Sequence, residues 1–149
     1  MIEIRPLALE DVPAASVIEQ AANRYPWSEN VFRSCFAAQY FNFGLYLKDS
    51  LIGYYIGYFQ GIESQLFNIC ISEAQQGKSY GSMLLQHFIT QSMQRSAVDA
   101  WLEVRQSNIA AIRLYEKAGF IQTGIRPRYY RDTAGTEDAV LMSLPLQLF

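Results

Sequence analysis

Two glycines where a helix begins, a carboxylate in a strand-like run and a tyrosine on the inner face of a second helix are the residues whose types and spacing bear on chemistry. The glycines belong to the run Gln76-Gly77-Lys78-Ser79-Tyr80-Gly81, behind an apolar stretch ending at Ile71 and ahead of helically spaced Tyr80, Met83, Leu84 and Phe88. Glycine costs roughly 1 kcal/mol against alanine inside a helix, so two of them in a first turn need a reason. Bare amides at a helix N-terminus bind anions, and close backbone approach suits a phosphate; plain close packing is the competing reading. Glu103 lies in "WLEV", where alternation puts Trp101 and Glu103 on one face and Leu102 and Val104 on the other. A carboxylate in such a run is costly without a partner or a task, and the alternative is a strand-end Glu facing solvent or paired with Arg105. On "NIAAIRLYEKAG", Ala111, Leu114, Tyr115 and Ala118 fall at i, i+3, i+4 and i+7, so Tyr115 faces inward. An aromatic core residue with its hydroxyl bonded to backbone is the commoner use of such a tyrosine, and a proton donor the rarer one.

The elements that must position these residues are legible in outline. "MIEIRPL" alternates and reads as a first strand closed by Pro6. Residues 9–24 have helical spacing at Val12, Ala15, Ile18 and Ala22, and "YPW" breaks it. Ser28 reads as the N-cap of a second short helix over "ENVFRSCFAAQ". Three β-rich runs, "FGLYLKD", "LIGYYIGYFQ" and "SQLFNICIS", follow with separators short enough for antiparallel hairpins. The helix opened by the glycine turn runs to about Arg95. Beyond it "AVDAWLEV" reads as a strand, "NIAAIRLYEKAG" as a helix closed by Gly119 at C′, and "FIQTGIR" and "EDAVLMSLP" as the last strands. Without repeats or linkers, residues 1–149 are expected to form a single α/β domain with a mixed sheet.

Bulk properties exclude several function classes. The chain has 149 residues, half of them apolar, and a net charge of −2 from 12 basic and 14 acidic side chains. That balance, with no Lys/Arg run, gives no electrostatic footprint for nucleic acid or an anionic membrane. No apolar run approaches the roughly 18 residues of a membrane span, and no leader pattern opens the chain, so a cytoplasmic protein is expected. Cys35 and Cys70 are far from CxxC spacing and read as buried free thiols; no metal site is expected. The lone His87 reads as structural.

The run from Gln76 to Gly81 resembles the Q/R-x-x-G-x-G/A acyl-CoA signature of the GCN5-related N-acetyltransferase (GNAT) superfamily, with Ser79 standing where the family usually has its first glycine. Serine still offers its amide and, within a helical first turn, needs no positive φ, so the expectation is a weaker or displaced pyrophosphate contact. The stretches "YPWSE", "YFNF", "LFNI", "WLEVRQSNIAAIRLYEKAGF", "YY" and "EDAVLMSLP" are similar to the bacterial RimI branch, whose members acetylate the N-terminal alanine of the eighteenth small-subunit ribosomal protein. This likeness spans essentially the whole chain.

The resemblance implies a mixed, mostly antiparallel sheet whose two central parallel strands splay to admit acetyl-CoA. It also implies that Glu103 is the general base, acting through water, and Tyr115 the general acid. Ile69, Cys70 and Ile71 are expected to lend backbone to the pantetheine arm, and Gly77, Lys78, Ser79, Tyr80, Gly81 and Ser82 to surround the pyrophosphate. Asn108 resembles a family coenzyme A contact, although an N-cap accounts for it equally well. The expected partner is the N-terminal peptide of a ribosomal protein, with "RYPW" and the "RPRYYRD" to "ED" region walling its groove and Glu137 or Asp138 attracting a basic residue. Lysine or small-molecule amine acetylation is the runner-up. A noncatalytic acyl-CoA-binding module would lack the acid and base, and a nucleotide-binding protein would need the G-x-x-x-x-G-K-[ST] spacing this turn does not have.

Overall fold

The structure, a computed structural model, describes residues 1–146. Seven strands form one sheet: β1 (Ile2–Pro6), β2 (Tyr40–Leu47), β3 (Ser50–Gln60), β4 (Glu63–Ile71), β5 (Asp99–Arg105), β6 (Ile121–Asp132) and β7 (Gly135–Pro145). The helices are α1 (Val12–Ala22), α2 (Glu29–Arg33), α3 (Tyr80–Gln94) and α4 (Ile109–Lys117). The spatial order is β1-β2-β3-β4-β5-β7-β6. Every neighbouring pair is antiparallel except β4 and β5, which run parallel. None of the described helices is long and apolar enough to cross a membrane.

Two apolar clusters sandwich the sheet. On one face Leu84, Leu85 and Phe88 of α3 and Tyr115 of α4 pack with Leu102 and Val104 of β5. On the other, Val12, Ala15 and Ile18 of α1 and Phe32 of α2 pack against Tyr54 and Ile56 of β3. Burying each large side chain contributes about 1.5–3 kcal/mol, so both helical layers are firmly held. The alternation of β5 is as expected: Leu102 and Val104 are buried and Trp101 and Glu103 half-buried. The inward stripe of α4 is also as expected. A Schellman motif closes that helix: Gly119 N donates to Glu116 O and Phe120 N to Tyr115 O, both at 3.0 Å, with Gly119 at φ 106°.

The parallel pairing of β4 and β5 is short. It runs from Glu63 opposite Asp99 to Leu66 opposite Leu102 and stops. At the same level β3 pairs Gly57 with Leu66 and Ile56 with Asn68, so Phe67 is an extra residue in β4. A bulge bends and twists its strand, and here it turns β4 away from β5. Opposite the bulge Gly57 lets β2 approach β3 closely, because a Cβ there would sit 2.8 Å from the Phe41 ring and 2.9 Å from the Phe41 carbonyl oxygen.

Three boundaries differ from the sequence reading. The second helix was expected to continue to residue 39 but ends at Arg33, where Ser34 Oγ turns back to donate to Val31 O at 2.6 Å. Asn42 Nδ2 then donates to Cys35 O at 2.7 Å, and β2 begins at Tyr40 because the sheet claims those residues. The strand expected over 120–126 runs on to Asp132, since β6 is a sheet edge and absorbs Pro127 at an irregularity between Arg126 and Tyr130, with Arg128 at φ 53°. Ser79, expected to need no positive φ, has φ 66° and precedes the helix as its N-cap in the left-handed region. The chain must reverse there to bring the 77–82 amides to the mouth of the cleft, and serine bears the strain that a glycine would avoid.

Candidate active site

Beyond Leu66 and Leu102 the parted strands open a cleft of about 830 Å³. Its walls are β4 from Leu66 to Ile71, β5 from Glu103 to Arg105, the 75–82 turn, the inner face of α4 and the loop leading from α1 to Trp27. Such a volume suits a cofactor-sized ligand. The edge of β4 facing β5 has no ladder partner past Leu66, so the backbone of Ile69, Cys70 and Ile71 faces the opening.

The turn meets the requirements of an anion cradle. Gly77 has φ 78° and open space where a Cβ would project. Met83 N donates to Ser79 O at 3.1 Å as the first helical bond, which leaves the amides ahead of it without intrahelical acceptors. Gly77, Ser79, Tyr80, Gly81 and Ser82 all line the cleft. Lys78 does not; its exposed ammonium donates to Gln75 Oε1 at 3.0 Å. Gln76, the first residue of the motif, ties the turn to the end of β4 by donating from Nε2 to Ile71 O at 3.0 Å. Asn108 caps α4, its Oδ1 accepting from Ala111 N at 3.2 Å, and also lines the cleft.

Glu103 and Tyr115 reach this cleft from opposite layers. Glu103 projects on the α1 side of β5, with its side chain 11 % exposed and Arg126 Nε 3.2 Å from Oε2. The contact is an ion pair by distance but is poorly aligned, and that buried oxygen accepts no hydrogen bond among the described residues. Tyr115 comes from the α4 side, is buried, and its hydroxyl has no hydrogen-bond partner among the described residues. Burial, followed by the nearby Tyr130 and Cys70, raises its pKa well above the ordinary tyrosine value, so the phenol keeps its proton. A carboxylate and a protonated phenol, both on residues that line one cleft beside an anion cradle, are side chains of the kind that could move protons in a transfer from a thioester to an amine.

Cys70 is a free thiol as expected but only half-buried, where a buried one was expected, and it lines the cleft. Burial and then the charge of Glu19 push its pKa up to about 12, so it stays a thiol and is a poor nucleophile. His87 is structural: Nδ1 lies 2.8 Å from Tyr55 Oη, the ring packs on Phe43, and burial lowers its pKa.

The side of the cleft next to Glu103 holds residues that the sequence pattern marks only as loop, and one, Arg105, whose part it does not reveal; a second such residue, Glu19, lies buried behind it. Tyr25, Trp27 and Tyr130 line it, as the groove-wall expectation implied. Arg105 was expected only as a partner for Glu103. Instead its guanidinium lies 3.5 Å from the Tyr25 ring centroid and 4.4 Å from that of Tyr130, and pairs with Glu137 at 3.2 Å and Asp132 at 3.3 Å. Glu137 also accepts from Ser107 N at 2.6 Å, and Asp138 accepts from Arg128 N at 2.8 Å, so both candidate acids are engaged within the protein. Burial, and after it Glu103, raises Tyr130 to about 12. Glu19 on α1 has no counterpart among the expected site residues: it is fully buried and accepts from Tyr54, Asn68, Asn23 and the Trp27 amide. An acidic residue one position after core-facing Ile18 was the available signal, but its partners lie up to 49 residues away.

Parallel strands parted over a glycine-turn helix are the arrangement the resemblance to acyl-CoA-dependent transferases implies, and residues 4–120 match the acetyltransferase (GNAT) family. The chain belongs to that family; it is an N-acetyltransferase that uses acetyl-CoA. It is 41% identical over 148 residues to the [ribosomal protein bS18]-alanine N-acetyltransferase of Escherichia coli (strain K12), covering 99% of this chain and 100% of that one. The protein of the same description from Haemophilus influenzae is 39% identical over 127 residues, 85% of this chain and 86% of its own. The crystal structure of the ribosomal-protein-S18-alanine N-acetyltransferase from Escherichia coli superposes with a TM-score of 0.93, covering 100% of this chain and 96% of that one. The resemblance to the RimI branch, and the expected splayed sheet, are borne out.

Proposed function

We propose that the protein acetylates the α-amine of an N-terminal alanine, its substrate being the ribosomal protein bS18 in the cytoplasm. The observation that carries this reading is the 41% identity, sustained over nearly the full length of both chains, to an enzyme named for that reaction. Acetyl-CoA supplies an acetyl group activated as a thioester. This chain's residues hold it and move the protons. The amides of Gly77 through Ser82 surround the pyrophosphate with Asn108 beside them, and the free edge of β4 at Ile69–Ile71 aligns the pantetheine arm.

Glu103 takes a proton from the incoming ammonium through a water molecule. Its side chain lines the cleft and keeps 11 % of its surface exposed, which leaves water a route to the carboxylate, and the Arg126 guanidinium lies 3.2 Å from Oε2. Tyr115 gives its proton to the departing thiolate. Transfer is direct to the amine, and the Cys70 thiol, its pKa pushed up to about 12 chiefly by burial, is a poor alternative nucleophile. A terminal amine free in water has a pKa of ~8 against ~10.4 for lysine, so deprotonating it at neutral pH costs roughly 3 kcal/mol less, which favours an α-amine for a base as weak as a carboxylate.

The test is a panel of acceptors with acetyl-CoA: a peptide with a free N-terminal alanine, the same peptide N-blocked with an internal lysine, and a polyamine. The expected result is fast acetylation of the first alone. Equal rates on the blocked peptide would assign a lysine acetyltransferase, and a preference for the polyamine a small-molecule enzyme.

A further inference from the structure

Glu19 does not itself line the cleft, yet it is the most heavily bonded carboxylate among the described residues. Oε1 accepts from Tyr54 Oη of β3 and from Asn68 Nδ2 of β4 at 3.1 Å. Oε2 accepts from Asn23 Nδ2 at 3.2 Å and from the Trp27 amide at 3.0 Å. An ionised carboxylate has about four lone-pair sites, and all four are used. Stability alone gives no reason for it, since a buried charge is costly to desolvate and a well-packed apolar residue would hold α1 on the sheet as well.

What a carboxylate does here that a leucine would not is bond three segments at one buried point, where α1 and the loop are otherwise tied by the longer, exposed bond from Gln20 Nε2 to Trp27 O at 3.4 Å. It fastens the 23–27 loop to α1 and both to Asn68, the second residue of β4 beyond the rung where the strands part. The tie extends outward: Asn23 Oδ1 accepts from Tyr25 N at 3.0 Å, and the Tyr25 ring lies under the Arg105 guanidinium. Asn23, Tyr25, Trp27 and Asn68 line the cleft on the acceptor side, on the face of the sheet from which Glu103 projects.

We propose that Glu19 is a positioning residue for the acceptor amine. By clamping the 23–27 loop against β4, it sets the width of the acceptor half of the cleft and so the approach of the amine to Glu103. The proposal rests on the amine-acetylating reading above. It touches the cofactor half only through the Asn68 side chain, not the Ile69–Ile71 backbone, and none of the four bonds reaches the 77–82 turn or α4.

The experiment uses Glu19→Gln, which keeps the shape but turns an NH₂ toward groups that are themselves donors. Acceptor kinetics, acetyl-CoA affinity by calorimetry and Trp27 emission in a Trp101→Phe background are measured together. The expected result is an acceptor KM raised at least about tenfold with a lower kcat, since sub-ångström misplacement is felt in rate. Acetyl-CoA affinity stays unchanged and Trp27 emission shifts to the red. If Glu19→Gln does not fold, Asn23→Ala, which removes one exposed arm of the clamp, is expected to raise acceptor KM about threefold with acetyl-CoA affinity unchanged. Unaltered acceptor kinetics in a folded variant, parallel loss of acetyl-CoA affinity, or unchanged Trp27 emission would each overturn the proposal. Failure of the substrate reading is separate: it shows in the parent enzyme, and the comparison is then made with whichever amine the parent acetylates. If the parent acetylates none, Trp27 emission and acetyl-CoA affinity decide.

Discussion

Leu66 and Leu102 form the last rung between β4 and β5, and the cleft begins where that rung ends. Glu103 is the next residue of β5, so the proposed base stands at the apex of the opening. The bulge at Phe67 turns the other strand aside at the same level.

Glu103→Gln is expected to lower kcat by about 10²- to 10⁴-fold, the usual worth of general-base help, with acetyl-CoA affinity unchanged. Activity should recover as pH approaches the α-amine pKa of ~8, because solvent then supplies the neutral nucleophile. A kcat/KM profile between about pH 6 and 9.5 checks this. No recovery, with loss of peptide binding, would mean that the side chain only shapes the groove.

Tyr115→Phe should lower kcat without that recovery, its defect lying at the thiolate. The fold should survive, since the hydroxyl has no partner among the described residues to lose. The raised pKa keeps the parent's phenol protonated throughout the same range, so no alkaline fall assignable to Tyr115 is expected. A matched pH profile and a thermal melt decide.

At the cradle, Gly81→Val should weaken acetyl-CoA binding at least about tenfold, on the order of 1.4 kcal/mol. The protein has room for the first added carbon, which would meet Leu114 at 3.6 Å, and a thermal melt separates any strain from the γ-methyls from the effect on the ligand. Calorimetry on the folded variant showing unchanged affinity would remove the phosphate role.

Ser79 offers a stability test with opposite signs. In the left-handed region a side chain costs about 1–2 kcal/mol, so Ser79→Gly should hold or raise Tm and Ser79→Val should lower it. A lowered Tm for the glycine variant would contradict the backbone strain assigned to this turn.

Cys70 lines the cleft but should be catalytically silent. With its pKa pushed up to about 12 the thiol is protonated below that pH, so alkylation should stay slow and nearly flat from about pH 7 to 9.5, where an ordinary thiol accelerates. Cys70→Ala should keep kcat within about threefold; its abolition would point to an acetyl-cysteine route.

The elements that carry the chemistry were legible because their signals are local. The period of "WLEV" placed Glu103 opposite the buried Leu102 and Val104, and the i, i+3, i+4, i+7 stripe of α4 placed Tyr115 inward. Gly119 closed its helix as expected, since only local backbone geometry decides a Schellman motif. The end of the second helix and the reach of β6 were not legible, because strand pairing with distant residues decided both. Neither were the positive φ of Ser79, imposed by the turn into the cleft, the Arg105 bridge and the Glu19 clamp. Sequence periodicity determines which face a residue takes. Which partner meets it there, across 27 to 49 residues of chain, is decided only when the sheet brings those segments together.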